Sequence, residues 1–291
     1  MTDHSNASAR GRASDSEESR LRDRLAAETA RERYEAALGL VDRAEAGLDS
    51  RTIAALATRL REDPDADVRQ FAAEALGVAG ADPAALDPAL DDEDEWVRAE
   101  AVVALSRAAG GDAADRLRAA LDDDAGPVRR NALIALSKTG AVRTRELRER
   151  LREDPHEPVR EYAARWLGKR PGDEGEAVGL LAAVLARDPA AFVRANAATG
   201  LGRLGTDRAV EALETQGLED RSNDVQRAAK RALATARGED PDHVDLDDPP
   251  APRRRPDDAP GDTAGQSRWV AEQRDATNET GRSRVGRSPE P

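Results

Sequence analysis

Asp63-Pro64-Asp65-Ala66-Asp67-Val68-Arg69-Gln70-Phe71-Ala72-Ala73-Glu74-Ala75-Leu76-Gly77 decides the fold, because the stretch returns five more times. Anchored on Val68, the same frame stands at Val97, Val128, Val159, Val193 and Val225, at intervals of 29, 31, 31, 34 and 32 residues. Five positions before each valine is an aspartate: Asp63, Asp92, Asp123, Asp154, Asp188 and Asp220. One position after it is Arg69, Arg98, Arg129, Arg160 or Arg194, with Gln226 the single departure. Alanine always follows at +4 and leucine at +8. Self-similarity at such a period is the signature of a repeat array.

Apolar residues at 0, +4 and +8 share one face of an α-helix, so each frame holds a helix with one buried stripe. A weaker apolar series precedes most frames: Ile53, Leu56 and Leu60; Leu117 and Leu121; Leu147 and Leu151; Val178, Leu181 and Leu185; Val210 and Leu213. Each repeat is therefore a helix pair with the aspartate in its turn. One pair cannot bury its own apolar faces, but stacked pairs can. The expected class is all-α, a right-handed α-solenoid of about six pairs.

The frame resembles the HEAT repeats, in particular the short variety named after the phycobilisome lyases, whose pattern is D-P-x-x-x-V-R-x-x-A-x-x-A-L-G. Asp154, Pro155, Val159, Arg160, Ala163, Leu167 and Gly168 match it well. The resemblance covers about 50 to 236 and implies a structural Asp/Arg ladder, each aspartate capping the following helix and arginines bridging neighbouring repeats. Because the same solenoid hosts enzymes, adaptors and nucleic-acid binders, it fixes the fold and leaves the function open.

The net charge is −13 with 45 basic residues, of which only Lys138, Lys169 and Lys230 are lysines. Excess acid, scarce lysine and abundant alanine look like a salt-loving archaeon, where the Debye length of about 3 Å at 1 M salt leaves only short-range contacts effective. There is no cysteine, which excludes thiol catalysis, thiolate metal sites and disulfides. Residues 1 to 20 contain no apolar run and no window approaches a membrane span, so a cytoplasmic protein without a membrane role is expected.

Along the chain, residues 1–16 read as a disordered tail and 17–48 as a capping helix, with Leu21, Leu25, Ala26, Tyr34, Leu38 and Val41 as its stripe and a break near Gly39. Residues 49–236 form the solenoid. Pro83 and Pro88 interrupt the first helix of the second repeat, since proline removes a hydrogen bond and clashes with the preceding turn. Residues 237–291 read as an acidic, proline-rich tail whose one apolar element is Trp269-Val270, a docking candidate.

Chemistry-bearing constellations are few. The recurrent Asp and Arg belong to the ladder, not to an active site. Deoxyhypusine hydroxylase shares these repeats but needs several His-Glu pairs for its di-iron centre; here His4, His156 and His243 supply only the pair His156-Glu157. His156 is expected to be solvated. No phosphate loop, nucleophile set or zinc signature appears, so no catalytic residue, metal, cofactor or small-molecule substrate is expected. Positions +2, +5 and +6 of the second helices carry no continuous basic stripe, which argues against nucleic acid. Instead Val102, Val103, Leu133 and Ile134 are large and apolar where other repeats have Ala, Thr or charge. They are read as a docking patch on the concave face, flanked by Arg130 and Arg165. The expected function is a non-catalytic protein-protein scaffold or adaptor. Proteins resembling it accompany taxis signalling in some salt-loving archaea. The other class the resemblance carries is a lyase-like or chaperone-like subunit acting on a modified partner.

Overall fold

A computed structural model describes residues 17–243. The expected tail segments 1–16 and 244–291, Trp269 included, lie outside the described residues. Within them all regular structure is helical: α1 over 17–24, α2 Ala30–Ala44, α3 Ser50–Glu62, α4 Ala66–Val78, α5 Asp87–Leu90, α6 Glu95–Ala109, α7 Ala114–Ala119, α8 Gly126–Lys138, α9 Thr144–Glu153, α10 Glu157–Leu167, α11 Glu174–Arg187, α12 Ala191–Leu204, α13 Asp207–Ala212 and α14 Asn223–Arg237. From α3 onward they pair as α3/α4 through α13/α14, one pair per frame. The second helices α4, α6, α8, α10, α12 and α14 pack in an unbroken row, each against the next. This is an α-solenoid.

The anchors Val68, Val97, Val159, Val193 and Val225 are fully buried, as are all six +4 alanines. Pro83 and Pro88 leave the second repeat with a 3-10 turn at Pro83–Ala85 and the four-residue α5, yet Leu86 and Ala89 still reach the core. In the last repeat α13 runs into a π-helical segment at Leu213–Gly217. Beyond Arg237 a 3-10 turn follows at Pro241–His243, packed on α14, inside the segment read as tail.

The N-terminal region departs from the single capping helix expected. The break falls at 25–29, not at Gly39. Thr29 starts α2: its hydroxyl oxygen accepts from the Glu32 backbone N–H and donates to the Glu32 carboxylate at 2.6 Å. That Thr-x-x-Glu spacing is a helix-start signal. Gly39 lies inside α2, where an added Cβ would meet Leu21 at 3.0 Å. Moreover, Arg33, Ala36 and Leu40 occupy +1, +4 and +8 of the repeat frame and all three are buried. The pair α1/α2 is a degenerate seventh copy, with Glu32 in place of the valine.

The ladder runs the length of the stack. Arg33, Arg69, Arg98, Arg129, Arg160 and Arg194 each donate through Nε and Nη2 to both carboxylate oxygens of the next repeat's Asp63, Asp92, Asp123, Asp154, Asp188 and Asp220, at 2.6 to 3.2 Å. From Arg69 onward, Nη1 also holds the backbone carbonyl of the aspartate in its own repeat. Gln226 keeps only that last bond, to the Asp220 carbonyl at 2.6 Å, and ends the ladder. The aspartates do not cap the second helices as expected. Each accepts the backbone N–H two residues on (Asp154 from His156, Asp188 from Ala190) and so fixes the turn. Side-chain caps come from Asp65 and Asp94, three residues before the anchor. Burial pushes the Asp63, Asp123 and Asp154 carboxyls up, but the arginine and turn N–H hydrogen bonds outweigh it and hold all three below the usual range.

Small residues at +9 let neighbouring second helices approach closely. A Cβ on Gly168 would lie 2.3 Å from the Gly200 Cα, and one on Gly202 would lie 2.6 Å from the Ala232 Cα. Gly168 has φ −66°, which alanine adopts freely. In open space Gly168→Ala would therefore stabilise by about 0.4 to 1 kcal/mol through the unfolded chain. Backbone cannot give way as a side chain can, so overpacking wins, and we expect a net loss of about 1 to 3 kcal/mol in urea unfolding. A midpoint at or above wild type would show that α10 and α12 do not meet here.

Candidate partner-binding face

Each second helix is pressed by its own first helix and by second helices on both sides, so its buried arc is wide. Position +5 falls inside that arc: Ala73, Val102, Leu133, Ala164 and Ala198 are all 0 % exposed. Val102 and Leu133 are thus core residues, a correction to their reading as docking groups. Position +6 lies outside the arc. Val103 and Ile134 there are half-buried, and neither belongs to the packed core or to the apolar shell against it. Arg130 is half-buried and Arg165 exposed. The structure therefore divides the expected patch: Val103 and Ile134 share the outer face with Arg130 and Arg165, whereas Val102 and Leu133 point into the stack.

The face is completed by positions +3 and +10, which were not singled out from sequence. Position +3 gives Phe71, Glu100, Asn131, Tyr162, Asn196 and Ala228, all half-buried. Position +10 gives Val78, Arg107, Lys138, Lys169, Arg203 and Thr235. Phe71 meets Tyr34 of α2 edge-on at 5.1 Å between ring centres. Tyr162 and Trp166 lie 6.4 Å apart, and Lys169 Nζ sits 4.7 Å from the Trp166 ring centre, within cation-π reach. The Asn131 amide donates to the Ala99 carbonyl at 3.0 Å and ties α8 to α6.

Charge is segregated along this face. At the α4/α6 end are Glu74 and Glu100, with Asp42 near Glu74. Glu100 Oε1 is buried without a hydrogen bond, and its nearest cation, Arg107 Nη1, is 3.8 Å away. Burial first, and then the Glu74 charge, push the Glu100 carboxyl up to about 8 despite Arg107. Burial also pushes up Glu74 and Glu161, while Arg130 is drawn down by burial against the pull of Glu161. At the α10/α12 end the cations Arg165, Lys169 and Arg203 crowd one another: Lys169 and Arg203 are shifted down, chiefly by burial and then by neighbouring positive charge.

His156 is not the solvated side chain expected. It is half-buried at the start of α10, where its ring fills the space a Cβ on Gly126 would take, at 2.4 Å. Burial lowers its pKa, and Nδ1 is buried without a partner. Among the described residues no group of three or more His, Asp or Glu side chains is placed to hold a metal ion, and no helix is long and apolar enough to cross a membrane.

A model of HEAT repeats matches residues 53–138 and 144–234. No curated protein sequence matches the chain. Among solved structures, YibA of Escherichia coli is 18% identical with a TM-score of 0.50, covering 80% of this chain and 98% of its own. The complex of CpcE and CpcF of phycocyanin lyase from a Nostoc species is 25% identical, with TM-score 0.44 and coverage of 73% and 85%. Human deoxyhypusine hydroxylase is 24% identical, with TM-score 0.38 and coverage of 81% and 92%. The family match spans more than half of the sequence and falls on the same stacked pairs that the Asp/Arg ladder ties together, so this chain belongs to the HEAT-repeat family.

Proposed function

We propose that this protein is a non-catalytic helical-repeat scaffold that binds a partner protein across the exposed face of its second helices. The observation that carries this reading is the pair Val103 and Ile134. They are the only large apolar residues at position +6, they stand on adjacent repeats, and neither is packed into the core. Apolar side chains left in register on neighbouring helices form an anchor for a partner's apolar residues. Arg130 and Arg165 flank them with guanidinium groups suited to rim contacts.

Val103→Ser/Ile134→Ser separates binding from packing. As outer-face residues, both should change with a stability loss below about 1 kcal/mol, whereas core truncations would remove about 2 to 5 kcal/mol. Wild-type chain used as bait in lysate of its own source organism should retain a stoichiometric protein, and the double variant should release it. Failure of wild type to retain any protein, or equal retention by a fully folded variant, overturns the scaffold reading at this face.

A further inference from the structure

The arginines of this chain are mostly paired, through the ladder and through outer contacts such as Arg118 with Glu146 and Arg148 with Glu176. One group departs from that rule. Lys138 at the end of α8, Arg165 in α10, Lys169 just past α10 and Arg203 in α12 are all exposed. Among the described residues no carboxylate lies within ion-pair distance of any of them. Arg165 is felt as like charge by both Lys169 and Arg203, so the fold gathers cations here without compensating them. The nearest acid, Glu161, is half-buried one turn from Arg165 and lies between it and Arg130. In a chain of net charge −13, an uncompensated basic row is not a by-product of composition. Two of the three lysines of the whole sequence fall in it.

We propose that the Lys138-Arg165-Lys169-Arg203 row is the docking site for an acidic segment of the partner protein, laid across α8, α10 and α12 with its apolar neighbour seated on Ile134 and Val103. This deepens the scaffold reading and rests on it. Charge complementarity selects the occupant: each unpaired cation is a ready partner for a carboxylate, and Trp166, which already carries Lys169, supplies an apolar floor beside them. Helices pack about 8 to 10 Å apart, so three neighbouring helices span about 20 Å, the reach of about six residues of extended chain. The same face excludes a uniformly charged polyanion. Glu74 and Glu100 at its α4/α6 end would repel continued phosphate, so the segment runs acidic, apolar and then neutral or basic.

The test uses the full chain and a fluorescein-labelled synthetic peptide of about twelve residues, Asp- and Glu-rich at one end with leucines beside them, followed by fluorescence anisotropy. Wild type should bind it, and Arg165→Glu/Lys169→Glu/Arg203→Glu should weaken binding by about tenfold or more, because exposed charges meet repulsion in place of attraction. Binding should also fall steeply from 0.1 M to 1 M salt, as the Debye length shrinks from about 10 Å to about 3 Å. These residues have no structural partners, so the variant should unfold at the wild-type urea midpoint. No peptide binding, or equal binding by a folded charge-reversed variant, overturns the proposal. Preference for a labelled DNA or RNA oligonucleotide over the peptide does so too. So does peptide binding that appears only after Asp245→Asn/Asp247→Asn/Asp248→Asn, since the chain's own acidic stretch would then be the occupant. If the lysate partner of the preceding section is retained by wild type but not released by charge reversal, the scaffold stands and this docking site fails.

Discussion

Asp154→Ala should lower the unfolding free energy by about 3 to 5 kcal/mol, as expected when one partner of a buried ion pair is removed and the other is left behind. The Asp154 carboxylate is fully shielded from solvent, and the Arg129 side chain is 8 % exposed. The two exchange a bidentate pair of hydrogen bonds at 2.8 Å. Arg129 cannot retreat to water when its partner goes, because Nη1 remains bonded to the Asp123 and Asp124 carbonyls at 2.9 Å. The His156 backbone N–H loses its acceptor in the same step. Exposed pairs in this protein, such as Arg31 with Glu35, should by contrast contribute at most about 1 kcal/mol. Urea unfolding at pH 7 measures the effect, and a loss below about 1 kcal/mol would mean that the rung behaves as a surface pair.

The pH dependence of that rung has a definite sign. The Asp154 carboxyl is held below its usual range, so its contribution is present above the unfolded-state value, about 3.9, and is lost as pH falls through the lower folded value. The gap between wild type and Asp154→Ala should therefore be widest at neutral pH and narrow in acid. Combining Asp154→Leu with Arg129→Met should restore most of the loss, since apolar replacement of a whole buried pair is often neutral or stabilising.

Glu100→Gln should act in the opposite direction and stabilise the protein above pH 5. The Glu100 carboxyl is pushed up to about 8, by burial and by Glu74 across from α4, against the pull of Arg107 on its own helix. A carboxyl raised on folding contributes its full stability only below the unfolded value, near 4.3, and loses it as pH rises through about 8. At pH 7 folding must take up nearly one proton at this site. At 1.36 kcal/mol per pH unit, that is a penalty of about 2 to 4 kcal/mol, which the glutamine escapes. Wild type should thus lose stability between pH 5 and pH 8 with a slope of about one proton, and the variant should lose less. Parallel pH profiles for the two proteins would show that Glu100 ionises freely in the folded state.

What the sequence determined by itself was whatever a single frame encodes. The 0, +4, +8 stripe gave the second helices, the recurring Asp and Arg announced the ladder, and Pro83 and Pro88 marked the broken helix, because each effect acts within one repeat or between identical positions of two. Even the seventh copy was legible, in the Thr29-x-x-Glu32 start and the buried Arg33, Ala36 and Leu40, although Glu32 at the valine position hid it. Only the tertiary structure decided which large apolar residues face a partner. Val102 and Val103 are adjacent in sequence, as are Leu133 and Ile134, and their chemistry is nearly the same. Successive helical positions point about 100° apart, so one of each pair falls inside the buried arc and the other outside it. The width of that arc is set by how closely a helix approaches the helices a repeat away. That approach depends on contacts such as Gly168 with Gly200, which no repeat specifies alone.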